Sequence, residues 1–272
     1  MRTPKLSIII PTFNAAQTVV ATLESVLAQR FDDWEVWIMD GASTDQTPML
    51  VEAIIAKSDR MHWVSEKDKG VYDAMNKGIE KASGEYLYFM GSDDIFYNDK
   101  TLEKLFAQVH TQTDIFYGNV KFKGNGKVHS GPSSLDRLVF EQVSICHQAI
   151  FYKHSVFKTI GLYNTEYFIH ADYDFNIRCF RNDQLSIQYI DQIVAIFNEQ
   201  GLSGIQSNAD GFHTALTKEI LGEQYDLLKL YRSHKQLEKE LKAIKASKSY
   251  RLGNLVMKPF GAFKKKLRFL KK

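Results

Sequence analysis

Cysteine is almost absent from this chain of 272 residues: only Cys146 and Cys179 occur. Two thiols build no disulfide framework and show no metal-ligand spacing, so buried, inert thiols in a reducing compartment are expected. No apolar run approaches the roughly 18 residues that a membrane-spanning helix needs. The run Leu6 to Ile10, behind Met1-Arg2-Thr3-Pro4-Lys5, is too short for a secretory signal and meets Pro11, which predicts a cytoplasmic protein. No G-x-G-x-x-G follows the first strand pattern and no G-x-x-x-x-G-K-[ST] occurs anywhere, which argues against a dinucleotide fingerprint or a P-loop. Acids are missing from one region: Leu241 to Lys272 holds eleven Lys or Arg and no Asp or Glu. The net charge of +3 therefore conceals a remainder with 24 basic against 32 acidic residues, and the tail is electrostatically a separate object.

What is present is a globular composition, 44% apolar and 25% charged, enough for a sizeable core. Leu6 to Ile10 reads as a buried strand closed by Pro11, and Ala15 to Gln29 carries Val19, Leu23, Val26 and Leu27 on one helical face. Trp34 to Met39 is a second strand, a helix follows with Pro48 in its first turn, and Met61 to Ser65 is a third strand. Ala74, Met75, Ile79 and Ala82 mark the buried face of the next helix, which Ser83-Gly84 stops before the strand Tyr86 to Met90. This alternation predicts a parallel α/β sheet with right-handed crossovers. A helix is expected from about Asp99 to His110, then a strand Asp114 to Val120. Gly124-Asn125-Gly126 signals a hairpin that ends the parallel pattern, and Ile187 to Phe197 reads as a last strand.

Acids stand where these strands end: Asp40, then Asp93 and Asp94, and later Asp172. In open α/β sheets ligands bind beyond the carboxyl ends of strands. Two adjacent carboxylates beside a core strand repel each other and lose hydration, and a hard divalent cation such as Mg or Mn would compensate. The plainer reading has Asp93 capping the next loop and Asp94 solvated. Asp172 likewise fits an N-cap before an apolar helical face. Asp174 and Arg178 lie four apart and are expected to pair.

Four segments in order resemble successive motifs of the family-2 GT-A glycosyltransferases: Pro11-Thr12-Phe13-Asn14; Met39-Asp40-Gly41-Ala42-Ser43-Thr44-Asp45; Asn76-Lys77-Gly78-Ile79 with Ala82-Ser83-Gly84-Glu85-Tyr86; and Phe89-Met90-Gly91-Ser92-Asp93-Asp94. The resemblance implies an α/β, GT-A (Rossmann-like), mostly parallel sheet flanked by helices. It implies a nucleotide-sugar-binding half at 1–120 and an acceptor half at 121–212, followed here by a helical, basic tail at 213–272. It further implies metal-dependent, inverting, non-processive transfer of a hexosyl or N-acetylhexosaminyl group from a nucleotide-diphosphate sugar, UDP-linked first of all, to a glycan or lipid-linked acceptor, with Mg or Mn as cofactor. Pro11, Thr12, Phe13 and Asn14 would surround the nucleoside and Asp40 would accept from the base. Lys69, Tyr72, Asp73, Asn76 and Ser92 would join the donor site, with Lys69 touching phosphate. Asp93 and Asp94 fall on the family's Asp-x-Asp metal motif, whose first position is Gly91 here, so metal ligation rests on one or both. Asp172 matches the family's general base, although the Glu usual before it is Ala171. His147, Gln148 and His170 are the acceptor-site candidates, with a structural histidine as the plainer reading.

Beyond residue 213, Leu227, Leu230, His234, Leu237, Leu241 and Ile244 form a stripe that either packs back on the catalytic domain or pairs two copies in a homodimer. Phe260, Phe263, Leu267 and Leu270 among Lys and Arg predict a cationic foot on an anionic membrane surface rather than a nucleic-acid contact. The rival readings are a processive synthase, which the absent Gln-x-x-Arg-Trp motif disfavours, and an inactive scaffold, which Gly91 and Ala171 keep open.

Overall fold

The computed structural model describes residues 3–139, 141, 143–199, 201, 212 and 225–247. The chain divides into two compact units, residues 1–215 and 216–272. In the first, β1 (Leu6–Thr12), β2 (Trp34–Asp40), β3 (Met61–Ser65) and β4 (Tyr86–Phe89) alternate with α1 (Val19–Leu27), α2 (Thr47–Ile55) and α3 (Val71–Lys81). These four strands are parallel, in the spatial order β3, β2, β1, β4. Every residue of β1 and β4 is buried, as their unbroken apolar runs require. Each fully buried isoleucine among Ile8, Ile9 and Ile10 contributes about 1.5 to 3 kcal/mol to the fold.

Pro11 does not end β1, as its sequence position predicts; the strand runs on to Thr12. Ile9 offers its carbonyl to Met90 on the β4 side and Thr12 offers its own to Gly41 on the β2 side, so residue 11 faces β4. Pairing with β4 has already ended at Ile9, and the missing N–H of proline costs no ladder bond there. Helix α1 begins later than expected, and before it the N–H groups of Ala15 and Ala16 donate to Thr47 Oγ1 at 2.8 Å and Asp45 Oδ2 at 3.1 Å.

The second half adds β5 (Ile95–Phe96), α4 (Thr101–Phe106), β6 (Ile115–Phe122), β7 (Val128–His129), α5 (Leu135–Val139), β8 (Ile150–Lys153), α6 (His154–Ile160), α7 (Ala171–Phe180) and β9 (Ile187–Phe197). Among the described residues all nine strands share one sheet, ordered β3-β2-β1-β4-β8-β6-β9-β5 with β7 on β6. The mostly parallel expectation fits the first four strands; β8 runs antiparallel to both β4 and β6, so the sheet as a whole is mixed. The expected hairpin is present, with Gly126 at φ 68° between β6 and β7. Helix α4 is shorter than expected at both ends; at its start Thr101 Oγ1 accepts from Asn98 N–H. In the second unit, α8 (Tyr225–Ala246) exposes Leu230, Leu237, Leu241 and Ile244. The basic foot, residues 248–272, lies outside the described residues. Among the described residues no helix is long and apolar enough to cross a membrane.

Helix α3 lies close against the sheet through Gly78. A Cβ there would meet Ile9 Cγ2 at 2.5 Å and Met39 Cγ at 3.2 Å. Gly78→Ala should therefore lower the unfolding free energy by about 1 to 3 kcal/mol in urea titration, although alanine is the better helix former. An unchanged or raised stability would show that the contact relaxes freely.

Candidate active site

A cavity of about 860 Å³ opens beyond the carboxyl ends of β1 and β4. The sheet order turns there, with β2 on one side of β1 and β4 on the other, so the loops leaving the two strands part and leave a crevice. Residues 11–18 form one wall, Gly91, Ser92 and Asp93 the floor, and Gly70, Val71 and Tyr72 at the start of α3 a second wall. His147, Gln148, Phe168, Ile169, Asn198 and Gly201 close the far side.

The floor is set by Asp94, which is 1% exposed and stands behind the cavity lining. Its Oδ2 accepts from the Gln148 side-chain amide at 2.7 Å, and its Oδ1 accepts from the Asn198 backbone N–H at 2.8 Å. Its carbonyl accepts from Thr22 Oγ1 at 2.8 Å. Burial, then repulsion from Asp93, push its carboxyl up to about 6 against those bonds and the charge of His147. The solvated Asp94 of the plainer reading is therefore corrected: the carboxylate is a buried tether. Asp93 faces the cavity instead; its Oδ2 accepts from the Asn198 side-chain amide at 2.9 Å, and its Oδ1 accepts nothing among the described residues. Gly91 has a steric reason. A Cβ there would meet Asp94 Oδ2 at 2.5 Å and Asp93 Oδ1 at 2.9 Å, because both carboxylates fold back over it.

The Pro11 to Asn14 wall is stapled to the loop after β2. Asn14, at φ 46°, gives its Oδ1 to Thr44 N–H at 2.9 Å, and its own N–H donates to Ser43 Oγ at 2.8 Å. Phe13 is left 63% exposed at the rim. Asp40 is not among the lining residues; it is 2% exposed, and its carboxylate accepts from Ser43 N–H, Ser43 Oγ and Ser65 Oγ. Asp73 accepts from Lys69 N–H at 3.0 Å and pairs with Lys77. Asn76 is bonded to both backbone groups of Tyr163. Lys69 is exposed and, like Asp73 and Asn76, stands outside the lining.

Asp172 occupies the second position of α7, where its carboxylate joins two distant segments rather than capping the helix. Tyr72 Oη donates to Oδ1 at 2.7 Å, and His147 Nδ1 lies 3.5 Å from Oδ2. Burial alone would lower the His147 pKa, but Asp172, then Asp94 and Asp93, outweigh it and raise it. Asp174 and Arg178 pair at 2.9 Å, as their spacing predicts. His170 stacks on Phe212 outside the lining, with ring centroids 5.1 Å apart. Sequence reasoning missed Asp45, Asp68, Phe168 and Asn198 as lining residues. Asp68 packs over Gly41, where a Cβ would meet its Oδ2 at 2.6 Å, a contact that appears only in the fold. Asn198 had no signal in the sequence, since β9, whose pairing with β5 brings the residue to Asp93 and Asp94, is distant from that loop in sequence.

Replacing Asp94 by Ala strands the Gln148 amide and the Asn198 N–H beneath the cavity. Net of the relieved repulsion with Asp93, it should cost about 2 to 4 kcal/mol in urea unfolding, against less than about 0.5 for Ser92→Ala on the same loop. Equal, small effects for the two variants would contradict the tether.

Comparison with known proteins bears on the family and the fold. Residues 7–161 match the model for glycosyl transferase family 2. The chain is 43% identical over 211 residues to a PGL/p-HBAD biosynthesis glycosyltransferase of Mycobacterium tuberculosis, covering 74% of this chain and 79% of the relative. It is 36% identical over 144 residues to an uncharacterized glycosyltransferase of Rickettsia conorii, covering 51% and 23%. Among solved structures it is similar to S. aureus TarS, with TM-score 0.63, 22% identity and coverage of 80% of this chain and 40% of that one. A TarS 1-349 complex with UDP-GlcNAc gives TM-score 0.59 at 23% identity, covering 71% and 58%. A Pyrobaculum calidifontis mannosyltransferase in complex with GDP-Man and Mn2+ gives 0.58 at 18%, covering 72% and 57%. The chain thus spans less than two thirds of each of these structures, and at such identities they carry the fold alone. The family match and the mixed sheet lead to one conclusion: the chain belongs to glycosyl transferase family 2, with the GT-A fold.

Proposed function

We propose that this glycosyltransferase moves a hexosyl or N-acetylhexosaminyl group from a UDP-sugar to a glycan or lipid-linked acceptor, with inversion and one sugar per encounter. One observation carries the donor reading. Among the described residues the cavity lining includes Asp45, Asp68 and Asp93 but no Lys or Arg. A diphosphate brought against those carboxylates is repelled unless a cation comes with it. Among the described residues no group of three or more His, Cys, Asp or Glu is placed to hold a metal by itself. Asp93, with Oδ1 uncommitted, fits the other mode, in which Mg or Mn takes one carboxylate and completes its shell with phosphate oxygens and water. When bound, the ion would neutralise charge on the departing diphosphate.

Asp172 is the general base in this reading. It takes the acceptor hydroxyl proton as that oxygen bonds to the anomeric carbon. The bond from the anomeric carbon to the diphosphate breaks on the opposite face, and its electron pair leaves with the nucleoside diphosphate. Residues 1–120 hold the donor and residues 121–212 the acceptor. Phe13 and Phe168, 63% and 44% exposed, offer apolar faces at the cavity rim for a base or sugar ring. The basic stretch 241–272 favours peripheral attachment to an anionic membrane face, where a lipid-linked acceptor would be found.

Thermal shift with UDP and GDP, with and without Mn, tests the donor site. At a hundredfold excess over Kd, binding stabilises by about 2.7 kcal/mol, a Tm rise on the order of 5 to 10 °C. The rise should require Mn and vanish in Asp93→Ala, whose own Tm stays near that of the native chain. A rise that persists in Asp93→Ala, or that needs no metal, would overturn this assignment.

A further inference from the structure

Tyr72 makes a contact that neither the family match nor a donor-binding role explains. It sits in the first turn of α3, 6% exposed, and its hydroxyl reaches two oxygens of one segment: the carbonyl of Ile169, which lines the cavity, and, at 2.7 Å, Oδ1 of Asp172, which stands just behind the lining. A phenol has one proton, and a carbonyl can only accept. The two contacts therefore belong to two arrangements of that proton. With Asp172 ionised, the phenol donates to the carboxylate, because a bond to a charged acceptor is about twice as strong as one to a neutral carbonyl. With Asp172 protonated on Oδ1, the carboxyl donates to the phenol oxygen, and the phenol turns its own proton to Ile169. The bond between Tyr72 and Asp172 survives in both states; only its direction reverses.

We propose that Tyr72 is the positioning residue of the general base, holding the Asp172 carboxyl in one orientation before and after it takes the acceptor proton. The proposal rests on the reading of Asp172 as that base. Several features suit the task. Burial, then the charge of Asp172, raise the Tyr72 pKa well above its ordinary value, so the phenol stays a donor. Its ring lies against Tyr163, centroids 5.5 Å apart, and Tyr163 is in turn clamped to Asn76 of the same helix. The other carboxylate oxygen faces His147 at 3.5 Å, so α3 and the segment before β8 grip Asp172 from two sides. The residue before the base, Ala171, is fully buried and brings no polar group of its own.

Two measurements test this. The first follows UDP release from UDP-glucose and UDP-N-acetylglucosamine with Mn, water serving as acceptor, in Tyr72→Phe, Asp172→Asn and the double variant. Tyr72→Phe should lower kcat roughly 10- to 100-fold with the donor KM within about threefold, since a base displaced by about 1 Å loses on that scale. Asp172→Asn should lower kcat by about 100-fold or more, and adding Tyr72→Phe to it should change the residual rate less than about twofold. Equal losses from Tyr72→Phe in both backgrounds, or a change confined to KM, would overturn the proposal and make Tyr72 a donor-site residue. Full turnover in Asp172→Asn would instead overturn the reading of the base. The second measurement needs no turnover: crystal structures of the native and Tyr72→Phe proteins at about pH 3 and pH 8, on either side of the ordinary aspartate value of about 3.9. The native Asp172 should keep one rotamer at both pH values and the variant should show more than one. A single unchanged rotamer in the variant would overturn the proposal by itself.

Discussion

The site depends on one buried carboxylate. Asp94 gathers three segments that are far apart in sequence: its own loop after β4, Gln148 before β8 and Asn198 after β9. Its backbone carbonyl adds a fourth, α1, through Thr22. A charged group that is 1% exposed is held at a cost, and burial and Asp93 together push its pKa up to about 6. The geometry obtained in return is specific. With Asp94 turned inward, Asp93 is left facing the cavity from the same loop, and Asn198 fixes both carboxylates at once through its N–H and its side-chain amide. Glycine at position 91 is what lets the two carboxylates fold over the turn.

Around that floor the cavity walls are tied together by hydrogen bonds between loops. Asn14 and Asp45 tie the loops after β1 and β2 together, and Asp40 locks the base of the second loop to Ser65 on β3. Such walls keep a shape without filling it. Among the described residues the cavity they enclose is lined by Asp45, Asp68 and Asp93 and by no Lys or Arg, so carboxylates set the sign of its field. His147 stands between the two functional ends, beside Asp172 and within the fields of Asp94 and Asp93.

Much of this was legible in the sequence because hydrophobic period is a local property. The parallel strands, their crossover helices and the hairpin at Gly126 follow from runs of residues close in the chain. The cavity past β4 lies where Asp93 and Asp94 drew attention, since acids at a strand end need no tertiary information to be noticed. What was not legible depends on which segments meet. The antiparallel insertion of β8 between β4 and β6 leaves no mark in the short run Ile150–Lys153, and it is what brings Gln148 under Asp94. Likewise the sequence could not choose between Asp93 and Asp94. The choice of which side chain turns inward is made by Gln148 and Asn198, 54 and 104 residues away.

The most direct test of this account is a crystal structure with UDP and Mn in which anomalous scattering locates the metal. The account predicts Mn bonded to Asp93 and to diphosphate oxygens in the crevice between β1 and β4, with Asp94 still bonded to Gln148 and Asn198. Mn bonded to Asp94 with those two bonds broken, or nucleotide bound outside the crevice, would contradict it.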